Sequence, residues 1–327
     1  MTNFGKFIAY ILLIFFGLAM VIPFVWMITT AVRSQIEFNK GNVGFLPIDH
    51  FTLYIEDEKE TVITIVKAEQ DSTYVHFFDE YGEITRSFVK VSNEQIEERR
   101  EFKIHWENFA NAWKRVPFGR YFLNTIIVSL SSVIGILITS SLAAYAFARM
   151  KFKGNSLLFS FFISMMMVPQ PIYLIPSYVL LNYLGWIDTY YALIVPWLAH
   201  IFTIFLLRQH FKAIPQELFD SAEIDGCSRF GILWRIVLPI TKPILITASV
   251  FSLIFSWNSF MWPLVMINSE ELRVLQVGLS YFSQESSTLT TLLMAASTFS
   301  IMPLVILFII AQRKIIGSYA TAGLKEG

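Results

Sequence analysis

The chain has 327 residues, 55% of them hydrophobic and 15% charged, with a mean hydropathy of +0.55. Soluble domains carry nearer a quarter charged residues, so this balance excludes an ordinary soluble enzyme or a disordered chain and points to a polytopic membrane protein. Twenty-five basic residues balance twenty-five acidic ones, leaving no nucleic-acid footprint, and the single cysteine, Cys227, excludes an internal disulfide and a Cys-based zinc cage.

In chain order, residues 8–32 are the first uncharged apolar run, 25 residues long and sufficient to cross a hydrocarbon core of about 30 Å. A cleaved signal peptide is the competing reading. Its core would be too long, and the small-residue cleavage pattern is missing. Further spans are expected at 121–148, at 157–181 (interrupted by Pro169, Pro171 and Pro176), and at 190–207, 244–267 and 289–311. Backbone groups in lipid must be bonded within their own segment, so these runs are predicted to be helices.

Orientation follows from the short loops. With Lys6 placed in the cytoplasm, the inner stretches hold twelve Lys and Arg residues, and the outer loops 182–189 and 268–288 hold only Arg273. Both termini are therefore predicted to be cytoplasmic.

Residues 34–118 differ from the rest. They carry sixteen acidic and ten basic residues, and the runs 51–55, 61–68, 73–78 and 84–91 are rich in Val, Ile, Thr, Tyr and Phe. Asp79-Glu80-Tyr81-Gly82 reads as a turn, and 93–102 reads as a helix capped by Asn93. The prediction is a small subdomain of three or four strands outside the membrane, serving as a cap on the bundle or as a docking surface.

No enzymatic constellation emerges. The chain lacks a GxxxxGK[ST] loop, and His50, His76, His105, His200 and His210 are scattered without metal-ligand spacing. His200 reads as a satisfied residue of the bundle interior. No charge lies well inside a predicted span, as an ion-coupled carrier would need.

The loop 208–242 carries the most information. Pro215 suits the first position of a helix and Gly226 the left-handed residue that stops it. Between them Leu218, Ala222 and Asp225 fall at i, i+4 and i+7. Ser228 can cap a second helix running to Pro239. The expected structure is a rigid helix–turn–helix, which a soluble partner can grip.

Asp220-Ser221-Ala222, Gly226 and Ile236-Val237-Leu238-Pro239 resemble the cytoplasmic signature of ABC-transporter importer permeases, which opens Glu-Ala-Ala and keeps the same two spacings. Asp220 and Ser221 are the departures. Trp257-Asn258-Ser259-Phe260-Met261-Trp262-Pro263-Leu264, the tail from Gln312-Arg313 to Gly323, and Phe118-Gly119-Arg120-Tyr121-Phe122-Leu123-Asn124-Thr125 are similar to the maltose-type carbohydrate permeases, specifically their shorter six-span subunit. Residues 47–104 lie outside the resemblance.

The resemblance implies an all-α polytopic membrane protein of six transmembrane helices, the ABC importer permease fold, with an extracytoplasmic β-rich insertion between helices 1 and 2. The expected organisation is a cytoplasmic N-terminus and first helix at 1–33, the insertion at 34–118, and a permease core at 119–327 holding the coupling loop 208–242. It further implies a homologous second permease, two ATP-binding subunits that hold ATP and Mg while this chain holds no cofactor, an extracytoplasmic solute-binding protein and a sugar substrate. The helix from Pro215 to Asp225 would be the coupling helix, with Glu217, Leu218, Asp220, Ser221, Ala222, Gly226 and, beyond it, Pro239 as the coupling residues. By the same resemblance, the outer loop 268–288 lies where this subunit reaches toward the binding protein.

Other features have two readings each. Ser131, Gly135, Thr139 and Ala143 form a small-residue stripe suited to close helix packing. The prolines of the third span either face a pathway or kink a packed helix. Trp257, Asn258 and Trp262 offer indole faces and an amide, the groups that bind sugars, or else form a packing motif. Two further function classes stay open from the residues alone: an ABC permease for another solute, such as a polyamine or peptide, and a secondary carrier or membrane sensor.

Overall fold

A computed structural model describes residues 3–39, 41, 44–56, 59–68, 72–78, 84–284 and 289–323. The elements are, in chain order, α1 (Asn3–Ala31), α2 (Gln35–Asn39), β1 (Ile48–Glu56), β2 (Lys59–Ala68), β3 (Ser72–Phe78), β4 (Ile84–Ser92), β5 (Ile96–Phe102), α3 (Glu107–Arg115), α4 (Phe118–Arg149), α5 (Asn155–Met165), α6 (Gln170–Tyr183), α7 (Tyr190–Ile194), α8 (Ile201–Lys212), α9 (Gln216–Ile224), α10 (Arg229–Ile232), α11 (Leu238–Ile240), α12 (Lys242–Trp257), α13 (Met261–Met266), α14 (Leu275–Gln284) and α15 (Thr290–Gly323). The contacts divide them into two compact units, one of residues 1–114 with 282–298, the other of residues 115–281 with 299–327.

The first unit contains α1 and a five-stranded antiparallel sheet in the order β4-β3-β2-β1-β5. Alternation puts Ile63, Thr73, Val75 and Val91 on one covered face, where Tyr54, Phe77, Val89 and Ile96 pack against the Ile63–Val75–Val91 cluster, while Leu53, paired with Val62, is buried on the other. The turn expected at Asp79-Glu80-Tyr81-Gly82 lies outside the described residues.

One prediction for this unit is overturned. Residues 93–102 are not a helix: Asn93–Gln95 is one 3-10 turn, and Ile96–Phe102 is the edge strand β5, paired with β1 from Ile48↔Phe102 to Tyr54↔Ile96. Asn93 begins that turn, and its Oδ1 accepts a hydrogen bond from Thr73 Oγ1 at 2.7 Å. Glu and Arg favour a helix locally, but seven ladder pairs to β1 outweigh that preference, and the charges of Glu97, Glu98, Arg99, Arg100 and Glu101 keep the edge soluble.

The base of this unit is a knot of hydrogen bonds. Asn108 Nδ2 donates to the carbonyls of Ala31 (2.9 Å) and Arg33 (2.6 Å), closing off the end of α1. His105 bridges two carboxylates, with Nε2 2.7 Å from Asp49 and Nδ1 2.6 Å from Glu107. Burial works against the Glu107 anion, yet its own backbone N–H and His105 more than offset this and hold the carboxyl below its ordinary value.

The second unit is helical. Phe4–Ala31 of the first unit and Phe118–Arg149, Tyr190–Lys212 and Thr290–Gln312 are each long and apolar enough to cross a bilayer, and two bent pairs raise the number to as many as six. The expected third span is one of those pairs: α5 and α6 meet at 101°, where Pro169 withholds an N–H. The fourth is likewise not one continuous helix but α7, a 3-10 turn at Val195–Trp197, and α8. The fifth stops at Trp257 and resumes at Met261 as α13. The 268–288 stretch, expected as a loop, contains α14, because Val274, Leu275 and Val277 bury one side of it.

Packing around α4 follows its small residues. A Cβ on Gly135 would lie 2.4 Å from Leu198 Cδ2, and Thr139 Oγ1 donates to the Leu198 carbonyl. His200 is the residue preceding α8, its Nδ1 2.8 Å from Thr203 Oγ1.

Candidate functional site

Helix α9 is short enough to need stops at both ends. Pro215, in extended conformation (φ −55°, ψ 140°), precedes the helix and is not its first helical residue. At the other end Gly226 has φ +74°, its N–H donates to the Glu223 carbonyl (3.1 Å), and Cys227 N–H reaches back to Ala222 O (2.9 Å). This pair of bonds is the Schellman motif, and it satisfies carbonyls the helix would otherwise leave open. Ser228 then caps the next helix, its Oγ accepting from Gly231 N–H at 3.1 Å. That helix passes through a π-helical stretch, Leu233–Val237, before Pro239, whose missing N–H leaves a carbonyl of the preceding turn without its helical donor.

The packed face of α9 cuts across the row of Leu218, Ala222 and Asp225. Phe219 (4% exposed) and Ala222 point into a core with Tyr145, Leu207, Phe211, Ile214, Ile232 and Leu233, whereas Leu218 is 42% exposed. Phe219, not Leu218, is the anchor. Glu217, Asp220, Ser221, Ile224 and Asp225 are exposed with Leu218, so the free side of α9 is acidic with two aliphatic residues upon it. Internal bonds stiffen the helix: Gln216 Nε2 donates to Asp220 Oδ1 (2.9 Å) and Ser221 Oγ to Glu217 O (2.7 Å).

Arg149, the last residue of α4, holds this arrangement together. Its Nε and one terminal nitrogen donate to Phe211 O (3.0 and 2.7 Å), and that nitrogen also donates to Ile214 O. The other terminal nitrogen reaches Gln216 Oε1 at 3.0 Å, and the guanidinium carbon lies 4.1 Å from the Phe219 ring centroid. One side chain thereby caps the C-terminus of α8 and clamps the start of α9.

The other predicted group is brought together only in part. Trp257 Nε1 donates to Ser300 O (3.1 Å) and Trp262 Nε1 to Ala192 O (2.9 Å), and both rings are buried. Each indole has a single donor, so both N–H groups are used within the protein. Asn258 is exposed, its Nδ2 donating to Ile254 O and its Oδ1 accepting from Gln276. The Trp262 ring, with Trp197 and Phe255, lines a cavity large enough for a water molecule that Thr125, Ser129 and Ser132 of α4 also face. Ser129 and Ser132 are 1% exposed, and their hydroxyls have no hydrogen-bond partner among the described residues.

Residues 133–317, from the middle of α4 through most of α15, match the family described as binding-protein-dependent transport system inner membrane component. The chain belongs to this family. It is 35% identical over 223 residues to the probable ABC transporter permease protein YurM of Bacillus subtilis, covering 68% of this chain and 74% of that one. It is 32% identical to the arabinooligosaccharides transport permease AraQ of the same organism (64% of this chain, 74% of that one), and 32% identical to its melibiose/raffinose/stachyose import permease MelC (68% and 80%). In fold it is similar to a bacterial ABC transporter involved in importing the acidic polysaccharide alginate, at 19% identity and a TM-score of 0.66, covering 95% of this chain and 96% of that one.

In this permease the sequence signature and the docked helix coincide. Asp220-Ser221-Ala222 lies on α9 and Gly226 ends it. Phe219 and Arg149 were not singled out by the sequence, although a basic residue in the last turn of a long helix was the available signal for Arg149.

Proposed function

We propose that this chain is the shorter, six-span permease subunit of a binding-protein-dependent ABC importer for carbohydrate of the oligosaccharide class. It forms half of a translocation pathway with a homologous second permease, and two separate ATPase subunits supply ATP and Mg, so this chain carries no catalytic or cofactor site of its own. The names of the relatives support sugar as cargo: arabinooligosaccharides, melibiose, raffinose and stachyose are the solutes of the two named above. A similar fold crystallised with a pentasaccharide-bound periplasmic protein supports a binding-protein partner.

The observation that carries the coupling reading is α9 itself. It is stopped at both ends, clamped by Arg149, and presents Leu218 and Ile224 beside acidic residues on its free side. A stiff, partly apolar helix of this kind is what a groove on an ATPase subunit can hold, with Glu217, Asp220, Ser221 and Asp225 at the rim and Ala222 on the docked side. The twelve-to-one excess of Lys and Arg supports cytoplasmic termini and a cytoplasmic α9, with the β-rich insertion on the opposite side. Trp257 and Trp262 then serve the packing of the pathway wall, and Asn258 is the member of that group left to meet solute.

The test is purification of the complex together with labelling of the only thiol. ATPase subunits should copurify, sugar uptake in vesicles should require ATP, and a membrane-impermeant maleimide should reach Cys227 in inside-out vesicles and not in intact cells. A chain that purifies alone and transports without ATP, or a thiol labelled from outside, would overturn the reading.

A further inference from the structure

Helix α3 has three distinct sides. Asn108 and Ala112 are buried, and Asn108 is the residue that bonds the carbonyls ending α1. Glu107, Asn111 and Lys114 are exposed and polar. The third side is aromatic: Trp106 just before the helix, Phe109 and Trp113 fall at i, i+3 and i+7, and the two indoles are 65% and 44% exposed. The Trp106 and Phe109 rings lie 6.0 Å apart. Exposed indoles in register along a polar helix make a surface suited to a medium apolar at one depth and wet at another.

The chain fixes where that surface stands. Val32 O accepts from His105 N–H at 2.9 Å, so the start of the helix is held at the end of α1, a helix whose apolar surface is exposed along most of its length and buried at Thr30 and Ala31. Its other end, Arg115, is separated by two residues from Phe118, where α4 begins. Both neighbours are among the helices long and apolar enough to span a bilayer. Bonded to the end of one such helix and two residues from the start of another, α3 lies close to a membrane surface.

We infer that α3 is an interfacial membrane anchor. It lies along the bilayer surface at the level where α1 ends, with Trp106, Phe109 and Trp113 seated among the lipid headgroups and upper acyl chains. Glu107, Asn111 and Lys114 face water. The occupant of the aromatic face is phospholipid, because α3 is bonded to the end of a helix long and apolar enough to cross a bilayer, and indole rings at this depth bury their bodies while keeping the N–H hydrated. Through the Asn108 and His105 bonds the anchor would also set the height of the sheet above the membrane.

The test is photocrosslinking in the assembled complex in native membranes, with benzoylphenylalanine placed in turn at positions 106, 113, 107 and 111. Lipid adducts should predominate at 106 and 113 and exceed those at 107 and 111 several-fold. Crosslinks from 106 and 113 to another permease or to a binding protein, or equal lipid labelling at all four positions, would overturn the proposal. A second readout covers a probe that disturbs assembly: bromine-labelled phospholipid should quench the wild-type complex more than Trp106→Phe and Trp113→Phe. Equal quenching would overturn the proposal as well. Failure here leaves the transport assignment intact, since that assignment rests on α9 and the family match.

Discussion

Arg149 and Phe219, seventy residues apart in sequence, are joined face to face: the guanidinium carbon of one lies 4.1 Å from the ring centroid of the other. The contact links the end of α4 to the anchor of α9. Force applied to α9 therefore reaches α4 through a planar cation that is also bonded to the carbonyls of Phe211 and Ile214.

Arg149→Lys tests this link. Lysine keeps the charge but cannot donate along several directions in one plane, so the open carbonyls at the end of α8 lose their shared partner. Bonds to charged groups contribute about 1.5–3 kcal/mol each, so a lower melting temperature is expected. The stronger effect should be on coupling, with sugar-stimulated ATP hydrolysis falling more than membrane insertion or pairing with the second permease. Equal coupling in Arg149→Lys and the wild type, measured in reconstituted vesicles, would show that the clamp does not transmit force.

Gly226 separates backbone conformation from contact. Its φ is +74°, and a Cβ there would meet nothing within 4 Å, so a substitution is opposed by the backbone and not by a neighbour. For a β-branched residue the left-handed conformation costs on the order of 1–2 kcal/mol, while asparagine visits it more readily. Gly226→Val should insert and assemble yet lose transport and stimulated ATPase activity, and Gly226→Asn should retain most of both. Wild-type transport by Gly226→Val would overturn the proposal that α9 is the lever.

How much of this was legible in the chain depends on how local the deciding physics was. Gly226 and Ser228 act through bonds three to five residues away, and the spacing named both. The docking face of α9 was not legible, because Leu218 and Phe219 are adjacent and equally apolar, and what separates them is a core of distant residues, Tyr145, Leu207 and Phe211 among them, with Arg149 over the Phe219 ring. Strand β5 was misread for the same reason. Its Glu and Arg residues suit a helix, and only pairing with β1, between residues as far apart as Ile48 and Phe102, makes it a strand. Prolines announced an interruption between α5 and α6 without giving its 101° angle, which depends on the packing around it.

Two glycines should respond differently to the same methyl group. At Gly135 the added Cβ meets the tip of Leu198, 2.4 Å away, which another rotamer can withdraw; at Gly278 it meets the Tyr121 ring at 2.5 Å, and Tyr121 is fully buried. Overpacking costs about 1–3 kcal/mol where neighbours cannot yield. Gly278→Ala should therefore lower the melting temperature of the purified complex more than Gly135→Ala. The reverse order would show that the tyrosine ring is free to move.

Asp188 gives a prediction in pH. With φ +61° it turns its carboxylate toward the 268–269 segment, where Oδ1 accepts from Ser269 N–H (2.9 Å), Ser269 Oγ (2.8 Å) and Asn268 N–H (3.1 Å). The Ser269 backbone N–H is the largest influence; burial opposes it, but the Ser269 hydroxyl, the Asn268 N–H and the Arg273 charge join it in holding the carboxyl below its ordinary value. A carboxyl depressed in the folded state stabilises above its unfolded value near pH 4, and that contribution disappears as pH falls through the folded value. Asn at 188 keeps the size and tolerates the backbone conformation but carries no charge. The melting temperature of the wild type should exceed that of Asp188→Asn by a constant margin from pH 7 to about pH 5, and the margin should close as pH falls toward 3. A gap that persists undiminished at pH 3 would assign the effect to hydrogen-bond geometry alone and not to the charge.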